Sequence, residues 1–243
     1  STLHNTLFPY TTLFRSTVNE AVNGLAGTET ALGVLPVGTG NLLAKQLSIP
    51  TYTLANPMHL HEATMNLVKS TIRPIDLGRA NERYFLCWAG IGIDAQVTTE
   101  LEPRPRHSKQ LGMLPYIIAT YMIARDFRGV RSRIYLDGHA VRSHTLFILA
   151  SNIQQYGGAL HLAREARIDD GLLDVFVFKG LGFPYMLRHV FTMLSRHYLQ
   201  DPQIVHRQAR RIRVQTEWAI PVQVDGDPIG TTPVTITVEP QAL

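Results

Sequence analysis

Apolar residues recur every three or four positions in residues 17–25, which predicts an amphipathic helix. The same spacing predicts two further helices, at residues 41–47 and 59–70. Between the first two helices, the short apolar run at residues 31–35 predicts a buried strand. Helices that alternate with a buried strand are typical of an α/β domain.

After Pro74 the pattern changes to the alternation that is typical of β-strands. Segments rich in Val, Ile, Phe and Tyr predict strands at residues 83–88, 132–136, 144–150, 171–178, 209–215, 221–224 and 233–238. Two helices interrupt them, at residues 114–125 and 184–198. Asp137-Gly138 and Asp225-Gly226 are dipeptides that favour hairpin turns. We therefore predict a partial α/β domain at residues 17–73 and a β domain at residues 74–243.

The first sixteen residues, STLHNTLFPYTTLFRS, share no periodicity with the chain that follows. Their second half is similar to translated adapter or vector sequence. We set residues 1–16 aside as a non-native leader and expect the native polypeptide to begin near Thr17.

Composition narrows the class of protein. The chain has 243 residues, of which 45% are hydrophobic and 17% charged, so it can bury a real core and is not globally disordered. The single cysteine, Cys87, excludes an internal disulfide framework and fits a reducing compartment. No apolar stretch reaches 18 residues, and no signal peptide is present.

The chain has a formal net charge of +4, and eight of its arginines fall in two clusters. The clusters are Arg125, Arg128, Arg131 and Arg133, and Arg207, Arg210, Arg211 and Arg213. Such clusters suit phosphate-rich partners such as a nucleotide, a nucleic acid or an anionic membrane. Solvated surface charge is the plainer interpretation of either cluster alone.

The most informative short motif is Pro-Val-Gly-Thr-Gly-Asn at residues 36–41, between the predicted strand and a predicted helix. Glycines let backbone N–H groups approach a phosphate, and the start of a helix adds a favourable dipole. The motif is neither the Walker pattern nor the dinucleotide fingerprint. Its alternative interpretation is an ordinary turn with Asn41 as the helix N-cap.

Six separated motifs follow the order found in one family. Residues 17–20, Thr-Val-Asn-Glu, match the helix that follows a Gly-Gly-Asp-Gly loop, although that loop itself is missing here. The other five matches are residues 36–41, 76–78 (Asp-Leu-Gly), 90–95 (Gly-Ile-Gly-Ile-Asp-Ala), 170–174 (Asp-Gly-Leu-Leu-Asp) and 225–228 (Asp-Gly-Asp-Pro). On these motifs, from Thr17 to about Val238, the chain resembles the bacterial diacylglycerol kinase-like lipid kinases, relatives of sphingosine and ceramide kinases.

The resemblance implies a partial nucleotide-binding α/β (Rossmann-like) domain followed by a β-sandwich domain, with the active site between them. The residues that it assigns to nucleotide phosphate are Gly38, Thr39, Gly40, Asn41, Thr17 and Asn19. It makes Asp225 the base or the metal-organising carboxylate that faces the acceptor hydroxyl. Asp227 stands where the family has Glu, so its charge is kept and its reach is shorter. Without the family match, residues 225–228 would read as a plain hairpin turn.

The cofactors that the resemblance implies are ATP and Mg²⁺. Asp76 is assigned to an acidic network that organises Mg²⁺ through water, and Leu42 replaces an Asp that many relatives carry in that network. Asp170, with the backbone carbonyls of Arg167 and Leu172, resembles a structural Mg²⁺ site. Capping and turn roles are the alternatives for these aspartates.

The function that we expect is transfer of the ATP γ-phosphate to a hydroxyl of diacylglycerol or a related membrane lipid, in phospholipid biosynthesis. The expected partners are the lipid substrate and an anionic membrane, with no nucleic acid, at the inner face of the membrane. An NAD kinase-like enzyme and a non-catalytic lipid-binding fragment are the alternatives. Because a phosphate loop that positions the transition state is missing, we also expect these 243 residues alone to be inactive.

Overall fold

The computed structural model describes residues 13–37, 41–51, 58–101, 122–156 and 160–243. Three helices lie in its first part: α1 (Leu13–Leu25), α2 (Leu42–Gln46) and α3 (Met58–Lys69). All three predicted helices are therefore present. Helix α1 begins four residues before Thr17, within the segment that the sequence pattern left out of the fold.

The predicted strand at residues 31–35 is wrong. The segment has no regular secondary structure, although Leu32 and Val34 pack against the core and Gly33 lies against the side chain of Leu67 in α3. Within the described part of the chain, no strand pairs with this segment. A strand is defined by its hydrogen-bonded neighbour, so the apolar alternation buries side chains here without forming a sheet.

Most of the later chain forms antiparallel β-structure. The strands are β1 (Leu77–Ala80), β2 (Arg83–Phe85), β3 (Trp88–Gly92), β4 (Val130–Leu136), β5 (His139–Ser151), β6 (Gln155–Tyr156), β7 (Leu160–His161), β8 (Leu173–Lys179), β9 (Ile204–Ala209), β10 (Arg211–Thr216), β11 (Pro221–Val224), β12 (Asp227–Thr231) and β13 (Val234–Glu239). Helix α4 (Ile93–Leu101) follows β3, and helix α5 (Phe183–Leu194) follows β8. A 3-10 turn occupies Tyr198–Gln200.

In the described residues, eleven strands form one sheet with the order β12-β11-β3-β5-β4-β10-β13-β1-β2, and β8 joins β5 to β9. Both predicted hairpin turns are present, between β4 and β5 and between β11 and β12. Asp137, Gly138, Asp225 and Gly226 all have positive φ angles, as a two-residue hairpin turn of the type I′ class requires.

Two predicted strands are each divided between two strands in the structure. Residues 83–88 divide into β2 and β3, because the backbone N–H groups at the corner bind a side chain instead of a neighbouring strand. Residues 209–215 span the end of β9 and most of β10. The predicted helix at residues 114–125 lies largely outside the described residues, of which 122–126 are helical.

The two faces of the sheet pack against different partners. Alternate side chains such as Ile134, Val177 and Val222 form an inner core between strands. On the other face, Phe176, Phe178 and their neighbours form a second core that also takes in Val22 of α1, residues of α2 and Met193 of α5. No helix among the described residues has both the length and the apolar character needed to cross a bilayer.

Candidate active site

The buried carboxylate of Asp225 is the centre of the candidate site. It lies at the turn after β11 and accepts backbone N–H bonds from three consecutive residues at the β2–β3 corner. Leu86 N lies 2.7 Å from Oδ2, while Cys87 N and Trp88 N lie 2.8 and 2.9 Å from Oδ1. Consecutive N–H groups that converge on one anion form a nest. The nest explains why the apolar run at residues 83–88 breaks.

Helix α1 supplies the fourth donor to this carboxylate. Asn19 Nδ2 lies 2.8 Å from Asp225 Oδ2, and both side chains are buried. One turn later, the Asn23 side chain pairs with both backbone groups of Tyr84, at 2.9 and 3.0 Å. No motif predicted a role for Asn23 in the site, although its spacing of four residues from Asn19 places both side-chain amides on one face of the helix.

The Asp225–Asp227 turn is also held from the side of β3 and α4. Gln223 Oε1 accepts the Gly226 N–H at 2.7 Å, and Gln223 Nε2 donates to Asp94 Oδ2 at 2.6 Å. The other oxygen of Asp94 accepts the hydroxyl of Tyr156 at 2.5 Å. Gly90 lies directly beneath: a Cβ there would overlap Asp94 Oδ2 and lie 2.6 Å from Gln223 Nε2. Gly90 is therefore required by the close approach of two side chains.

The environments of Asp225 and Asp227 differ. Burial raises the pKa of Asp225, and the N–H donors of Leu86, Trp88, Asn19 and Cys87 oppose the rise. Because N–H donors occupy both of its oxygens, Asp225 is suited to holding the turn in place. Asp227 opens β12 and is only partly buried. It lies two residues from Asp225, at the less buried end of the same turn.

The structure describes part of the predicted phosphate site. Gly38, Thr39 and Gly40 lie outside the described residues. Asn41 opens α2 in the left-handed conformation, with φ of 48°, and its Nδ2 donates to the Pro36 carbonyl at 3.1 Å. Asn41 thus occupies the N-cap position of α2, as the alternative interpretation expected, but its side chain makes no capping hydrogen bond to the helix. Thr17 lies within α1 and is exposed, two residues before Asn19, which donates to Asp225.

The residues predicted for magnesium gather around one loop. Asp76 is buried, and its two oxygens accept the backbone N–H groups of Gly171 at 2.6 Å and Gln241 at 2.8 Å. Asp170 Oδ1 accepts the Leu172 N–H at 3.0 Å. Arg167 is exposed, and its guanidinium pairs with Asp169. Asp76 thus fastens the loop that carries the other three predicted residues.

This loop concentrates negative charge. Partial burial raises the pKa of Asp170, and the nearby carboxylates of Asp174 and Asp76 raise it further, against the Leu172 N–H. A cation would relieve this repulsion, and the oxygen donors are of the kind that Mg²⁺ accepts together with water. Within the described ranges, however, no three His, Cys, Asp or Glu side chains are placed to share a metal. The oxygen donors available to a metal at this loop are therefore the Asp170 carboxylate and two backbone carbonyl groups.

Family models match both parts of the chain. Residues 17–80 match the diacylglycerol kinase catalytic domain, and residues 88–243 match the YegS C-terminal NAD kinase beta sandwich-like domain. The second model alone covers more than half of the 243 residues. The fold and the site thus define a two-part chain of the YegS type. The chain belongs to the bacterial diacylglycerol kinase family, which confirms the family predicted from its motifs.

Relatives named diacylglycerol kinase share the similarity along most of the chain. One from Bacillus subtilis (strain 168) is 28% identical, over 89% of this chain and 70% of its own length. One from Staphylococcus carnosus (strain TM300) is 26% identical, over 89% of this chain and 69% of its own length.

Solved structures give the same result. A crystal structure of a diacylglycerol kinase from Bacillus anthracis superposes with a TM-score of 0.70 at 27% identity, covering 93% of this chain and 72% of that one. A second crystal structure from the same organism superposes with a TM-score of 0.75 at 25% identity, covering 94% of this chain and 72% of that one. The predicted fold class, an α/β part followed by a β-sandwich domain, is thereby confirmed.

Proposed function

We propose that this protein is an ATP-dependent lipid kinase that transfers a phosphoryl group to a hydroxyl of diacylglycerol or a related membrane lipid. The observation that carries the proposal is the bond between Asn19 Nδ2 and Asp225 Oδ2. It joins the segment that matches a kinase catalytic domain to the turn that carries both predicted catalytic aspartates. Phosphoryl transfer depends mainly on positioning and electrostatics, and a buried polar junction provides the first of these.

In this proposal, the two aspartates of the turn have different tasks. Asp225 positions the turn, because its carboxylate already accepts four N–H bonds. Asp227 accepts the proton of the lipid hydroxyl on its side-chain oxygen, since it is the less buried of the two. An acceptor must lie within hydrogen-bond reach of that hydroxyl. The shorter Asp side chain therefore requires the hydroxyl to approach the turn more closely than a Glu would.

ATP and Mg²⁺ are the proposed cofactors. ATP would supply the phosphoryl group, and the turn at residues 36–41 would hold its phosphates through backbone N–H groups. Asn41 supports this role, because its bond to Pro36 keeps the two ends of the turn close together. Mg²⁺ would bind at Asp170 with the carbonyls of Arg167 and Leu172, and Asp76 would hold that loop in shape.

We also propose that the protein works at the inner face of the membrane, where its lipid substrate lies. The basic clusters support this location. Residues 130–136 and 211–216 form the paired strands β4 and β10, so arginines from both clusters lie on neighbouring strands of one sheet. Anionic headgroups attract such a surface by about 1 kcal/mol per cation.

Two acceptor reactions separate the proposal from its alternatives. The purified chain is incubated with γ-labelled ATP and either diacylglycerol or NAD, with Asp227→Asn as the control. We expect label in phosphatidic acid with the parent chain and not with Asp227→Asn. Label in NAD would favour the NAD kinase-like alternative, and lipid binding without any transfer would favour the non-catalytic one. The expectation that these 243 residues alone are inactive has no support in the structure or the comparisons, and this assay tests it.

A further inference from the structure

Helix α5 presents a stripe of large apolar side chains to solvent. Leu187, Val190, Phe191 and Leu194 are 54%, 44%, 71% and 68% exposed. Their spacing of three and four residues places them on one side of the helix. A surface helix normally carries charged and polar residues on that side. We call these four residues the α5 stripe.

Other contacts hold the helix firmly with this stripe outward. His189 is buried, donates from Nε2 to the Lys179 carbonyl at 2.8 Å, and stands edge-on to Phe178. Arg188 binds both oxygens of Asp201, at 2.8 and 2.9 Å. The exposure of the α5 stripe is therefore fixed by the packing of the helix against β8 and the turn that follows it.

Basic residues predominate in the sequence around the α5 stripe. Residues 175–200 contain Lys179, Arg188 and Arg196 and no Asp or Glu, and Arg188 is paired with Asp201. An amphipathic helix with an apolar side and basic flanks is the type that lies in the interface of an anionic bilayer.

Further cations lie on the same face of the sheet. Along β4, Val130 and Ile134 point into the inner core, so Arg131 and Arg133 point to the face on which α5 packs. Their cross-strand partners are His144 and Arg142. These four residues line a pocket of about 500 Å³, in which Glu217 is the one acidic lining residue. In the described ranges, none of the three arginines forms an ion pair.

The segment that leads into α5 lies beside these cations. The Gly180 N–H, three residues before α5, donates to the His144 carbonyl at 2.9 Å. Arg131 Nε lies 3.2 Å from His144 Nε2 on the neighbouring strand. Strand β5 therefore contacts both Arg131 and the segment that leads into α5.

We propose that this combined surface docks the protein on an anionic bilayer, with the α5 stripe entering the acyl boundary and Arg131, Arg133 and Arg142 contacting lipid headgroups. The proposal rests on the lipid kinase function only for its biological purpose, since the surface exists independently of catalysis. A second copy of the chain is a poorer occupant. Self-association through α5 would bring like charges together, whereas anionic lipid would neutralise them.

Vesicle sedimentation tests the proposal with three variants. The vesicles are phosphatidylcholine alone, or phosphatidylcholine with a third phosphatidylglycerol. Leu187→Ser/Phe191→Ser should weaken binding to the anionic vesicles by about tenfold or more, because two large apolar side chains no longer leave water. Arg131→Gln/Arg133→Gln/Arg142→Gln should weaken it by about tenfold and reduce its salt dependence. The matched control is Val68→Ser/Ile72→Ser, whose side chains are exposed even more fully but lie on and after α3.

Depth-dependent quenching locates the contact directly. In a Trp218→Phe background, Phe191→Trp should be quenched by brominated acyl chains, and Ile72→Trp should not. Equal quenching at both positions, or equal vesicle binding by all three variants, would overturn the proposal. So would a dimer that Leu187→Ser/Phe191→Ser converts to monomer without any loss of vesicle binding.

The assay remains separate from the test of catalysis. If the protein binds vesicles with the expected variant pattern but phosphorylates no lipid, the docking proposal is supported and the proposed kinase function is contradicted. Phosphorylation of a micellar short-chain diacylglycerol by a protein that binds no vesicles would do the reverse. Unchanged thermal midpoints of the variants would show that lost binding is not lost folding.

Discussion

At the residue scale, the two aspartates of the β11–β12 turn lie two residues apart in very different surroundings. Asp225 is nearly inaccessible to solvent and bound by three backbone N–H groups and one amide, whereas Asp227 is only partly buried. Asp225→Asn places an N–H₂ group against N–H donors. It should lower the free energy of unfolding by about 1–3 kcal/mol, since buried donors lose their acceptor.

Asp227→Asn is the counterpart of that variant, and it should lower stability less than Asp225→Asn does because the Asp227 side chain is less buried. It should nevertheless abolish lipid phosphorylation. Urea unfolding and the labelled-ATP assay on both variants separate positioning from proton transfer. A stable Asp225→Asn, or an active Asp227→Asn, would reverse the roles that we assign.

The charge around Asp170 gives a second prediction at this scale. Burial and the carboxylates of Asp174 and Asp76 raise the pKa of Asp170, so ionisation of this group is less favourable in the folded chain than in the unfolded chain. If Mg²⁺ binds there, a concentration ten times the dissociation constant should stabilise the parent chain by about 1.4 kcal/mol. Asp170→Asn should lose that gain.

The readout of the Asp170 prediction is the thermal midpoint with and without Mg²⁺ at constant ionic strength. Asp137→Asn is the control for general effects of a lost surface carboxylate, since Asp137 lies in the β4–β5 hairpin. An equal response of parent and Asp170→Asn would exclude this loop as the magnesium site.

At the scale of elements, features that depend on neighbouring residues could be predicted from the sequence, whereas features that depend on residues far apart in the chain could not. The two Asp-Gly hairpins follow from the φ preferences of the dipeptides themselves. The break between β2 and β3 depends on Asp225, which is 138 residues from Cys87, and no local pattern indicates it. The strand expected at residues 31–35 fails for the same reason, because a strand needs a pairing partner that periodicity does not reveal.

The same contrast holds within the site. The motifs identified Asp225 and Asp227, whereas Asn23, Gln223 and Tyr156 stand outside any motif. Their roles arise only when α1, β11 and β6 come together around the turn. Gly90 belonged to a motif, but its physical reason, the passage of two side chains over its Cα, is visible only in the fold.

Gly90→Ala tests that reason. The added Cβ overlaps Asp94 Oδ2 and crowds Gln223 Nε2, so it should lower stability by about 1–3 kcal/mol and loosen the bond from Gln223 to Gly226. Gly24→Ala is the matched control. It lies in α1 with no atom within 4 Å of the new Cβ, and it should be neutral or slightly stabilising. Additive costs of Gly90→Ala and Asp94→Ala in a double-mutant cycle would contradict the overlap.

Helix α5 should make stability depend on pH. Burial lowers the pKa of His189, so as the pH falls from 7.5 to 5 the unfolded chain takes up this proton more readily than the folded chain. The stability that neutral His189 contributes is therefore fully present above about pH 6.5 and is lost progressively as the pH falls below it.

His189→Gln retains an N–H donor for the Lys179 carbonyl and does not titrate. Its free energy of unfolding should fall less between pH 7.5 and 5 than that of the parent, by up to about 2 kcal/mol. Urea titrations at several pH values give both curves. If the curves of the parent and His189→Gln are parallel, His189 takes up its proton as readily in the folded chain as in the unfolded chain, which would contradict the prediction.

At the scale of the whole molecule, the end of the chain fastens the first part to the sheet. Gly27 donates to the Ala242 carbonyl at 2.8 Å, and Ile75 and Leu243 exchange two backbone bonds of 2.9 and 3.2 Å. Asp76 adds the bond to Gln241. One short segment thus joins the region after α1, the residues before β1 and the loop that carries Asp170, so the positions of the two catalytic parts depend on it.

Deletion of residues 242 and 243 should therefore loosen the junction more than it disturbs the sheet. Three backbone hydrogen bonds disappear, at about 0.5–1.5 kcal/mol each. Amide exchange at Gly27 and Ile75 should accelerate, while exchange in β4 and β5 stays close to that of the parent chain. Leu243→Ala, which removes only side-chain packing, should leave the Gly27 amide protected. Uniform acceleration across β4, β5 and α1 would show that the two parts unfold as one cooperative unit and that this segment is not a separate fastening.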